Sequence, residues 1–428
     1  MPAPSRFERA LRIGRQLLLA CTVSVMLWPM CVQAQVRDTS ASSLTLADAI
    51  KVASARRGEI EAARSRVRAA EARPSIVSAL EDPMIAPSID HLPFMMSGAD
   101  VSLAFEQRIP LSGIRGHRRA SALADLERLR ADAVRTTLDV EVEAATAFLM
   151  LQERRRTAAL VSEQLVFARD VVTAANARYA SGTAPQSDVL RAEVEVARLE
   201  AFAKALVSEV RGAEAMLNTS LAQDADLPVP TLVPPTFTQP IPSWSTIKLA
   251  LVSRPELAGG RAEIARADAD IQVMRAMNRP MATIRTGPSS TMAEGQGWMA
   301  MIGVSLPIWR GARRARVSEA EAMRAMSDAD LRAMSRMIEG GAAVAVSQLQ
   351  AAHDRQRALR DDVLPRARMA IEPAVADYAA GRLPLVSVLG AVQALWSVQA
   401  ELIDADTQLG IAWVRMARAI GSYVRFSE

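Results

Sequence analysis

Cysteine, histidine and aromatic residues are scarce in this sequence. The chain has 428 residues but only two cysteines and three histidines, and Phe, Trp and Tyr together make up 4% of it. Both cysteines, Cys21 and Cys31, lie within the first 34 residues. Without that segment the chain can form no disulfide, thiolate metal site or cysteine nucleophile. His91, His117 and His353 are far apart and do not suggest a metal site.

Catalytic motifs and a surplus of charge are also absent. We find no Ser-His-Asp pattern and no phosphate-binding loop, so we predict no enzymatic activity, no cofactor and no metal site. The formal net charge is +4, but residues 1–34 carry four arginines and one glutamate, which leaves +1 for the rest. Charge therefore gives no support to nucleic-acid binding, and we predict no nucleic-acid partner.

Residues 1–34 have the pattern of a secretory signal peptide. Four arginines come first, residues 17–30 form an apolar run, and Val32-Gln33-Ala34 is an acceptable cleavage site. The run is too short for a membrane anchor and contains Pro29. Cys21 is a weak match to a lipid-attachment site, which we discount because only four apolar residues precede it. An exported bacterial envelope protein is expected.

What the sequence does contain is a repeat. Residues 178–190 recur 199 residues later: Tyr179, Gly182, Pro185 and Val189-Leu190 correspond to Tyr378, Gly381, Pro384 and Val388-Leu389. In each copy a helical pattern breaks at Gly-x-x-Pro. Glycine accepts the left-handed backbone that ends a helix, and proline is tolerated at the start of the next one. We predict that each copy is the tip of an antiparallel helical hairpin.

Two further pairs of segments share nearly the same offset. Residues 46–64 resemble residues 243–261, and Ile109-Pro110-Leu111 corresponds to Leu306-Pro307-Ile308, with a segment rich in Gly and Arg after each. This indicates a tandem duplication. The predicted organisation is a signal peptide over 1–34, a first repeat over 35–222, an extended Pro-rich linker over 223–243 and a second repeat over 244–428.

Hydrophobic periodicity predicts the same elements in both halves: a helix, two strands, a very long helix, a tip and a long helix. The helices are expected over 44–73 (ended by Pro74), 114–180, 185–221, 244–277, 311–380 (bent at Gly340-Gly341, Pro365 and Pro373) and 384–420. Strands are expected over 101–105 and 298–306, and less clearly over 84–92 and 281–288, which contain prolines. Alanine-rich helices with 3–4 spacing favour coiled-coil packing.

The strands are long enough to cross a bilayer, whereas no helix after residue 34 is expected to do so. Four strands cannot close on themselves, and an open sheet edge is not tolerated in lipid. If the strands enter a membrane, several chains must share one barrel. From the pattern alone, a small water-soluble sheet is an equally good interpretation.

The mature chain resembles the TolC-like outer-membrane efflux protein family. The resemblance is carried by the repeated Tyr-x-x-Gly tips with Asp/Ser-Val-Leu, the Ile/Leu-Pro-Leu/Ile pairs, Leu364-Pro365 and the duplication. It implies an α+β membrane protein: a homotrimer with a twelve-stranded outer-membrane β-barrel, four strands per chain, above a periplasmic α-helical coiled-coil barrel. It also implies a periplasmic adaptor (membrane fusion protein) and an inner-membrane pump of the resistance-nodulation-division type as partners.

The resemblance also implies where the partners meet. The residues expected to dock the adaptor are Tyr179, Gly182, Asp188, Val189, Leu190, Tyr378, Gly381, Ser387, Val388 and Leu389. Members of the family carry acidic gate residues at positions that are Ser387 and Gly390 here, so an acidic gate is in doubt. Arg382, together with Ser387 and Gly390, is a candidate gate residue.

The cargo is left open by the sequence. The short strand regions and the missing lipid-attachment cysteine resemble the heavy-metal branch of the family, so heavy-metal cations or small toxic compounds are expected. Seven methionines lie near the strands and are expected to be apolar filler rather than copper ligands: Met84, Met95, Met96, Met281, Met292, Met299 and Met301. Two alternatives remain: a duct for type I protein secretion, and a soluble periplasmic coiled-coil interaction protein without a pore.

Overall fold

A computed structural model describes residues 43–90, 100–237, 239–291, 295–306 and 308–422. The signal-peptide prediction, His91, Met95, Met96, Met292 and Pro307 lie outside the described residues. The first half contains β1 Ser43–Leu44, α1 Leu46–Arg56, α2 Gly58–Ser78, β2 Met84–Asp90, β3 Asp100–Pro110, α3 Ile114–Ala180 and α4 Gln186–Ser220. The second contains β4 Thr231–Leu232, α5 Trp244–Leu251, α6 Pro255–Ala276, β5 Met281–Thr291, β6 Gly295–Val304, α7 Arg310–Ala358, a π-helical turn Leu359–Val363, α8 Leu364–Ala379 and α9 Leu385–Ile420.

The helix α3 is the longest element and confirms the prediction for residues 114–180. It has 67 residues without proline, which corresponds to roughly 100 Å at 1.5 Å per residue. Small and large apolar residues alternate on its buried side, among them Ala144, Phe148 and Leu151, all fully buried. Alanines allow the axes of neighbouring helices to approach closely, so the long helix is supported by packing along its course.

The main hydrophobic core lies where α1, α3, α4 and α9 meet. Its buried members include Leu46 of α1, Phe148 of α3, Leu217 of α4 and Val414 of α9. The Pro-rich segment between the halves is fastened here: β4 pairs with β1, and the Arg155 guanidinium donates to the carbonyls of Val229 and Pro230. This segment is therefore held against the helices and is not a free extended spacer.

Both predicted first helices are broken once, at equivalent arginines. The chain is extended at Arg57, between α1 and α2, and at Arg254, before α6. Each guanidinium is bound by the glutamate two residues later, Glu59 or Glu256. Each also donates to a carbonyl at the end of the helix that returns from the tip, at Ser220 or Ala419. The shared arrangement supports the duplication, and it explains breaks that periodicity did not predict.

The prediction that Pro74 ends a helix is wrong. Helix α2 continues through Pro74 to Ser78, and the proline is buried in it. A proline in a helix interior removes one hydrogen bond. Here that cost is offset by burial, since α2 packs along α3.

Three bends were predicted in the second long helix, and the helix is interrupted at one of them. Gly340-Gly341 lies within the continuous helix α7, and Pro373 lies within α8. The interruption is the π-helical turn directly before Leu364-Pro365. Because Pro365 has no N–H, the ordinary helical bond to residue 361 cannot form, and the helix widens in the turn before it.

One four-stranded sheet is formed by strands from both halves, in the order β2-β3-β5-β6, with every neighbouring pair antiparallel. The two doubtful strands, β2 and β5, are thereby confirmed. Pro87 is tolerated because β2 lies at the sheet edge, and Pro288 lies opposite a gap in the β3–β5 register. Within the described residues, the outer edges of β2 and β6 have no partner strand.

The two faces of this sheet differ sharply in polarity. On β3, Ser102, Ala104 and Glu106 are 3–7% exposed, whereas the alternate residues Val101, Leu103 and Phe105 are 45–49% exposed. The register extends this division to the other strands. Exposed residues of the apolar face include Ile85, Ile89, Ile284, Trp298, Ile302 and Val304. We call the opposite side, with Ser102 and Glu106, the polar face.

Helix α9 has the length and apolar composition to cross a membrane, contrary to the expectation that no such helix would follow residue 34. It is the only described helix that does. Its second half belongs to the core, where Leu409, Trp413 and Val414 are buried. We therefore interpret α9 as a packed helix of the bundle.

Candidate functional site

The candidate site consists of the two hairpin turns, one after α3 and one before α9. In the first, α3 ends at Ala180, Gly182 has φ +69°, and the amide of Thr183 donates to the carbonyl of Arg178 at 2.9 Å. Pro185 then precedes α4. In this left-handed region a side chain would strain the backbone, which is why the turn requires glycine.

The second turn has the same geometry. Gly381 has φ +73°, the amide of Arg382 donates to the carbonyl of Asp377 at 2.8 Å, and Pro384 precedes α9. The sequence-based prediction of two equivalent helical hairpin tips is confirmed in this geometric sense.

The two hairpins are packed against each other just above the turns. Ala175 of α3, Val189 and Ala192 of α4 and Leu385 of α9 form a buried cluster. Partly buried neighbours complete it: Val171, Val172, Tyr378 and Leu389. Side chains from both halves of the chain therefore pack together beside the two turns.

A polar link joins the hairpins at the same level. The Arg178 guanidinium donates to the carbonyl of Tyr378 at 2.6 Å and lies 4.3 Å from the centroid of the Tyr378 ring. The Tyr378 hydroxyl is buried and has no hydrogen-bond partner among the described residues. The ring, more than the hydroxyl, is thus the part of Tyr378 that holds the arginine.

The residues predicted to dock an adaptor divide by exposure. Tyr179, Gly182, Leu190, Gly381 and Ser387 are exposed; Tyr378 and Leu389 are half-buried; Asp188, Val189 and Val388 are buried. The first group is accessible to a partner. The buried group lies within the tip, so any effect it has on docking would come from holding the tip together.

The candidate gate residues lie on the second tip. Ser387 and Gly390 are exposed, and the Arg382 guanidinium is bound by Asp377 of the same turn at 2.6 Å. Arg382 thus has a carboxylate partner within its own hairpin.

Three contributors to the tip were missed from the sequence. Arg178 is one, and the Gln393 amide, which donates to Glu195 at 3.0 Å, adds a second link between the hairpins. Beside this link an open groove of about 420 Å³ separates α4 from α9. Leu190, Val194 and Val386 are its exposed apolar residues. No signal in the sequence indicates these pairs, since their members are about 200 residues apart.

A charged pair lies at the centre of one row across the polar face of the sheet, with a methionine on either side. Register places Met84, Glu106, Arg285 and Met301 side by side on β2, β3, β5 and β6. The Glu106 carboxylate is bound by Arg285 at 2.7 Å and lies 3.6 Å from Arg108. Among the described residues, no group of three His, Cys, Asp or Glu could hold a metal ion.

Comparison with known proteins shows similarity to outer membrane efflux proteins. The family model for outer membrane efflux proteins matches residues 246–422. The outer membrane efflux protein BepC of Brucella suis is 24% identical over 308 residues, which span 70% of this chain and 66% of BepC. The pyoverdine export outer membrane protein OpmQ of Pseudomonas putida is 27% identical over 339 residues, spanning 75% of this chain and 70% of OpmQ. Over residues 246–422, the chain is therefore similar to the outer membrane efflux proteins.

The fold of the chain agrees with that of solved outer-membrane channels. The structure of CusC, described as forming a transmembrane channel, superposes with a TM-score of 0.77 at 16% identity, covering 88% of this chain and 92% of CusC. At this identity, the likeness to CusC shows a shared fold.

Proposed function

We propose that this chain is the exit channel of a tripartite efflux system, a passive conduit from the periplasm to the exterior. The proposal rests on how polarity is distributed over the two faces of the four-stranded sheet. Its apolar face is exposed, its polar face carries Glu106 and Arg285, and both sheet edges are open within the described residues. Such a sheet is unfavourable in water, but it suits a barrel with lipid outside and water inside.

Closure requires more than one chain. Three copies, joined through the free edges of β2 and β6, would form a twelve-stranded barrel that leaves an aqueous lumen. The same trimer would place six helical hairpins below the barrel, enough to wall a periplasmic tunnel. The homotrimer is therefore part of the proposal.

The hairpin tips would meet a periplasmic adaptor, which connects the channel to an inner-membrane pump of the resistance-nodulation-division type. Support comes from the exposed tip residues Tyr179, Leu190 and Ser387 and from the apolar groove beside them. Energy would be supplied by the pump, because the channel contributes only a path. The proposed cargo is heavy-metal cations or small toxic compounds; the relative OpmQ is named for pyoverdine export.

Expression with a neighbouring adaptor and pump, in a host that lacks its own exit channel, tests the proposal. We expect an outer-membrane trimer that dissociates on heating, conducts ions in planar bilayers, and raises resistance to some members of a panel of metals and drugs. A soluble protein in the periplasmic fraction would favour the coiled-coil alternative. Export of a secreted polypeptide without any gain in resistance would favour a type I secretion duct.

A further inference from the structure

Arginines are concentrated just beyond the strands, where the two longest helices begin. Residues 115–119 read Arg-Gly-His-Arg-Arg, and residues 310–316 read Arg-Gly-Ala-Arg-Arg-Ala-Arg. Arg279, two residues before β5, lines the same cavity as Arg115 and Arg118. We call these eight the junction arginines: Arg115, Arg118, Arg119, Arg279, Arg310, Arg313, Arg314 and Arg316.

The junction arginines differ from most described arginines in having no carboxylate partner among the described residues. Arg313 is half-buried and the other seven are exposed. No carboxylate of the described residues lies within 4.0 Å of any of them, whereas Arg128, further along α3, is close to Asp125, Asp132 and Glu263. Two donate to backbone carbonyls, Arg115 to Ser78 and Arg313 to Asn278. Their positive charge is therefore available to a partner.

Their position is unfavourable for the helices themselves. Neither α3 nor α7 has an acidic residue in its first turn, where Arg115, Arg310 and Arg313 lie instead. The positive end of the helix dipole disfavours a cation there. Helix stability does not explain this clustering at both equivalent places, whereas a bound anion would.

Three of these side chains converge on one small cavity. Arg115, Arg118 and Arg279 line a space of about 120 Å³ between the ends of α2 and α6 and the starts of α3 and β5. Glu81 is the only carboxylate among its lining residues. Three arginines and one carboxylate line this cavity, which gives it a net positive charge, and guanidinium groups are strong donors to phosphate oxygens.

The apolar face of the sheet ends at the junction arginines. Along β6 and beyond it, the apolar positions Val304, Leu306, Ile308 and Trp309 are 52–74% exposed, and Arg310 follows immediately. The chain thus passes from apolar surface to an exposed tryptophan and then to a row of cations. This order is found at the boundary between hydrocarbon and headgroups.

We infer that the junction arginines bind the phosphate groups of anionic phospholipids in the periplasmic leaflet of the outer membrane. The inference rests on the proposed insertion of the sheet into that membrane. With the apolar face in the hydrocarbon, the cavity between Arg115, Arg118 and Arg279 lies at headgroup depth and accepts a lipid phosphate. Arg310 and Arg314, which follow β6 at the start of α7, extend the positive surface.

The test is lipid selection by the purified trimer. Full-length protein in mild detergent is mixed with equal amounts of phosphatidylglycerol and phosphatidylcholine, repurified, and its bound lipid quantified. We expect phosphatidylglycerol to be enriched, and less so at high salt. The triple variant Arg118→Gln, Arg279→Gln, Arg314→Gln should reduce the affinity for phosphatidylglycerol by about a hundredfold, given a loss of about fivefold for each of the three charges.

A control variant of equal charge separates a specific surface from net charge. Arg64→Gln, Arg211→Gln, Arg336→Gln removes three exposed arginines that also lack ion pairs among the described residues, and it should retain the enrichment. Equal binding of both lipids to the wild type, or unchanged enrichment in the first variant, overturns the inference. Displacement of lipid by millimolar inorganic phosphate would show a plain anion site and also overturn it.

Conductance of the same preparations in planar bilayers distinguishes the two proposals. A protein that conducts but shows no lipid preference contradicts the lipid site and leaves the channel intact. A protein that neither inserts nor conducts contradicts the channel, and the lipid site with it.

Discussion

The guanidinium of Arg178 lies 4.3 Å from the ring centroid of Tyr378 and donates to that residue's carbonyl at 2.6 Å. The two residues belong to different halves of the duplicated chain and to different hairpins. This contact and the Glu195–Gln393 hydrogen bond are the polar links between the hairpins near the tips in the described chain. Separation of the tips would have to break them.

Replacing Arg178 should loosen the tips. Arg178→Gln removes the contact with the ring and weakens the bond to the Tyr378 carbonyl, at a cost of about 1–2 kcal/mol to the packed arrangement. We expect a higher conductance or a larger open fraction of single channels in planar bilayers. Arg191→Gln, an exposed arginine near the tip without an ion pair among the described residues, should behave as wild type.

The hydroxyl of Tyr378 provides a finer control for the Arg178 variant. Tyr378→Phe keeps the ring under the guanidinium and removes a hydroxyl that has no partner in the described part of the chain. It should leave the conductance close to that of the wild type. If Arg178→Gln is silent, or if Tyr378→Phe is as disruptive, the ring contact does not hold the hairpins together.

The sheet gives a second prediction, at Gly287 of β5. A Cβ at this position would fall far inside van der Waals contact of the Leu103 carbonyl oxygen on β3. Gly287→Ala must therefore push β3 and β5 apart, and we expect loss of the outer-membrane trimer on non-denaturing gels. Gly297→Ala, whose Cβ would be 3.8 Å from the nearest atom, should assemble normally. Normal assembly of both variants would contradict the β3–β5 pairing.

A third prediction concerns ion selectivity. Within the proposed lumen, Glu106 is bound by Arg285 and lies near Arg108. Glu106→Gln leaves both cations uncompensated and should shift the reversal potential in a salt gradient towards anions. Arg285→Gln should shift it towards cations. Lumen charges tune selectivity in barrels.

Ser289→Gln, a neutral change on the same face, is the control and should leave the reversal potential unchanged. If the reversal potential is the same in both charge variants as in the wild type, this face does not line the conducting path.

The long helices could be predicted from the composition of the sequence, whereas the positions at which helices break could not. The helix over 114–180 is predictable because it contains no proline, and the tips because each pairs a glycine with a proline three residues later. The breaks at Arg57 and Arg254 depend on guanidinium groups that reach helix ends more than 160 residues away. Pro74 misled the prediction because packing along α3 outweighs its local effect.

The candidate site was predictable to a similar extent. The turns and the exposed residues Tyr179 and Leu190 are evident from the repeat, but the Arg178–Tyr378 contact joins residues 200 positions apart. A single sequence carries no signal for such a pair. The π-helical turn before Leu364-Pro365 was expected only as a bend, because the missing N–H of Pro365 predicts a disturbed helix but not the π-helical form of the disturbance.

The last prediction concerns acid stability and the ion cluster that joins the halves. Glu256 is bound by Arg254 and by Arg418 of α9, at 2.9 and 2.7 Å, and Arg418 also binds Asp139 of α3 at 2.6 Å. Burial alone would raise the pKa of Glu256, but hydrogen bonds from Arg254, its own backbone amide and Arg418 outweigh it and lower the pKa from 4.5 to about 2.

The folded state therefore holds the Glu256 proton less tightly than the unfolded chain does. Its contribution to stability is complete above pH 4.5 and is lost as the pH falls from 4.5 towards 2. Glu256→Gln leaves two arginines with a weakened partner and should cost about 3 kcal/mol at neutral pH. Thermal unfolding followed by circular dichroism at pH 7, 5 and 3 should show a lower Tm for the variant and a smaller loss on acidification.

The duplication supplies the matched control. Glu59 occupies the equivalent position and binds Arg57, but its side chain is 55% exposed, so Glu59→Gln should cost less than about 1 kcal/mol. Equal losses for the two variants would mean that burial does not distinguish the two clusters. A Glu256→Gln protein that loses as much Tm between pH 5 and 3 as the wild type would show that another carboxylate governs acid unfolding.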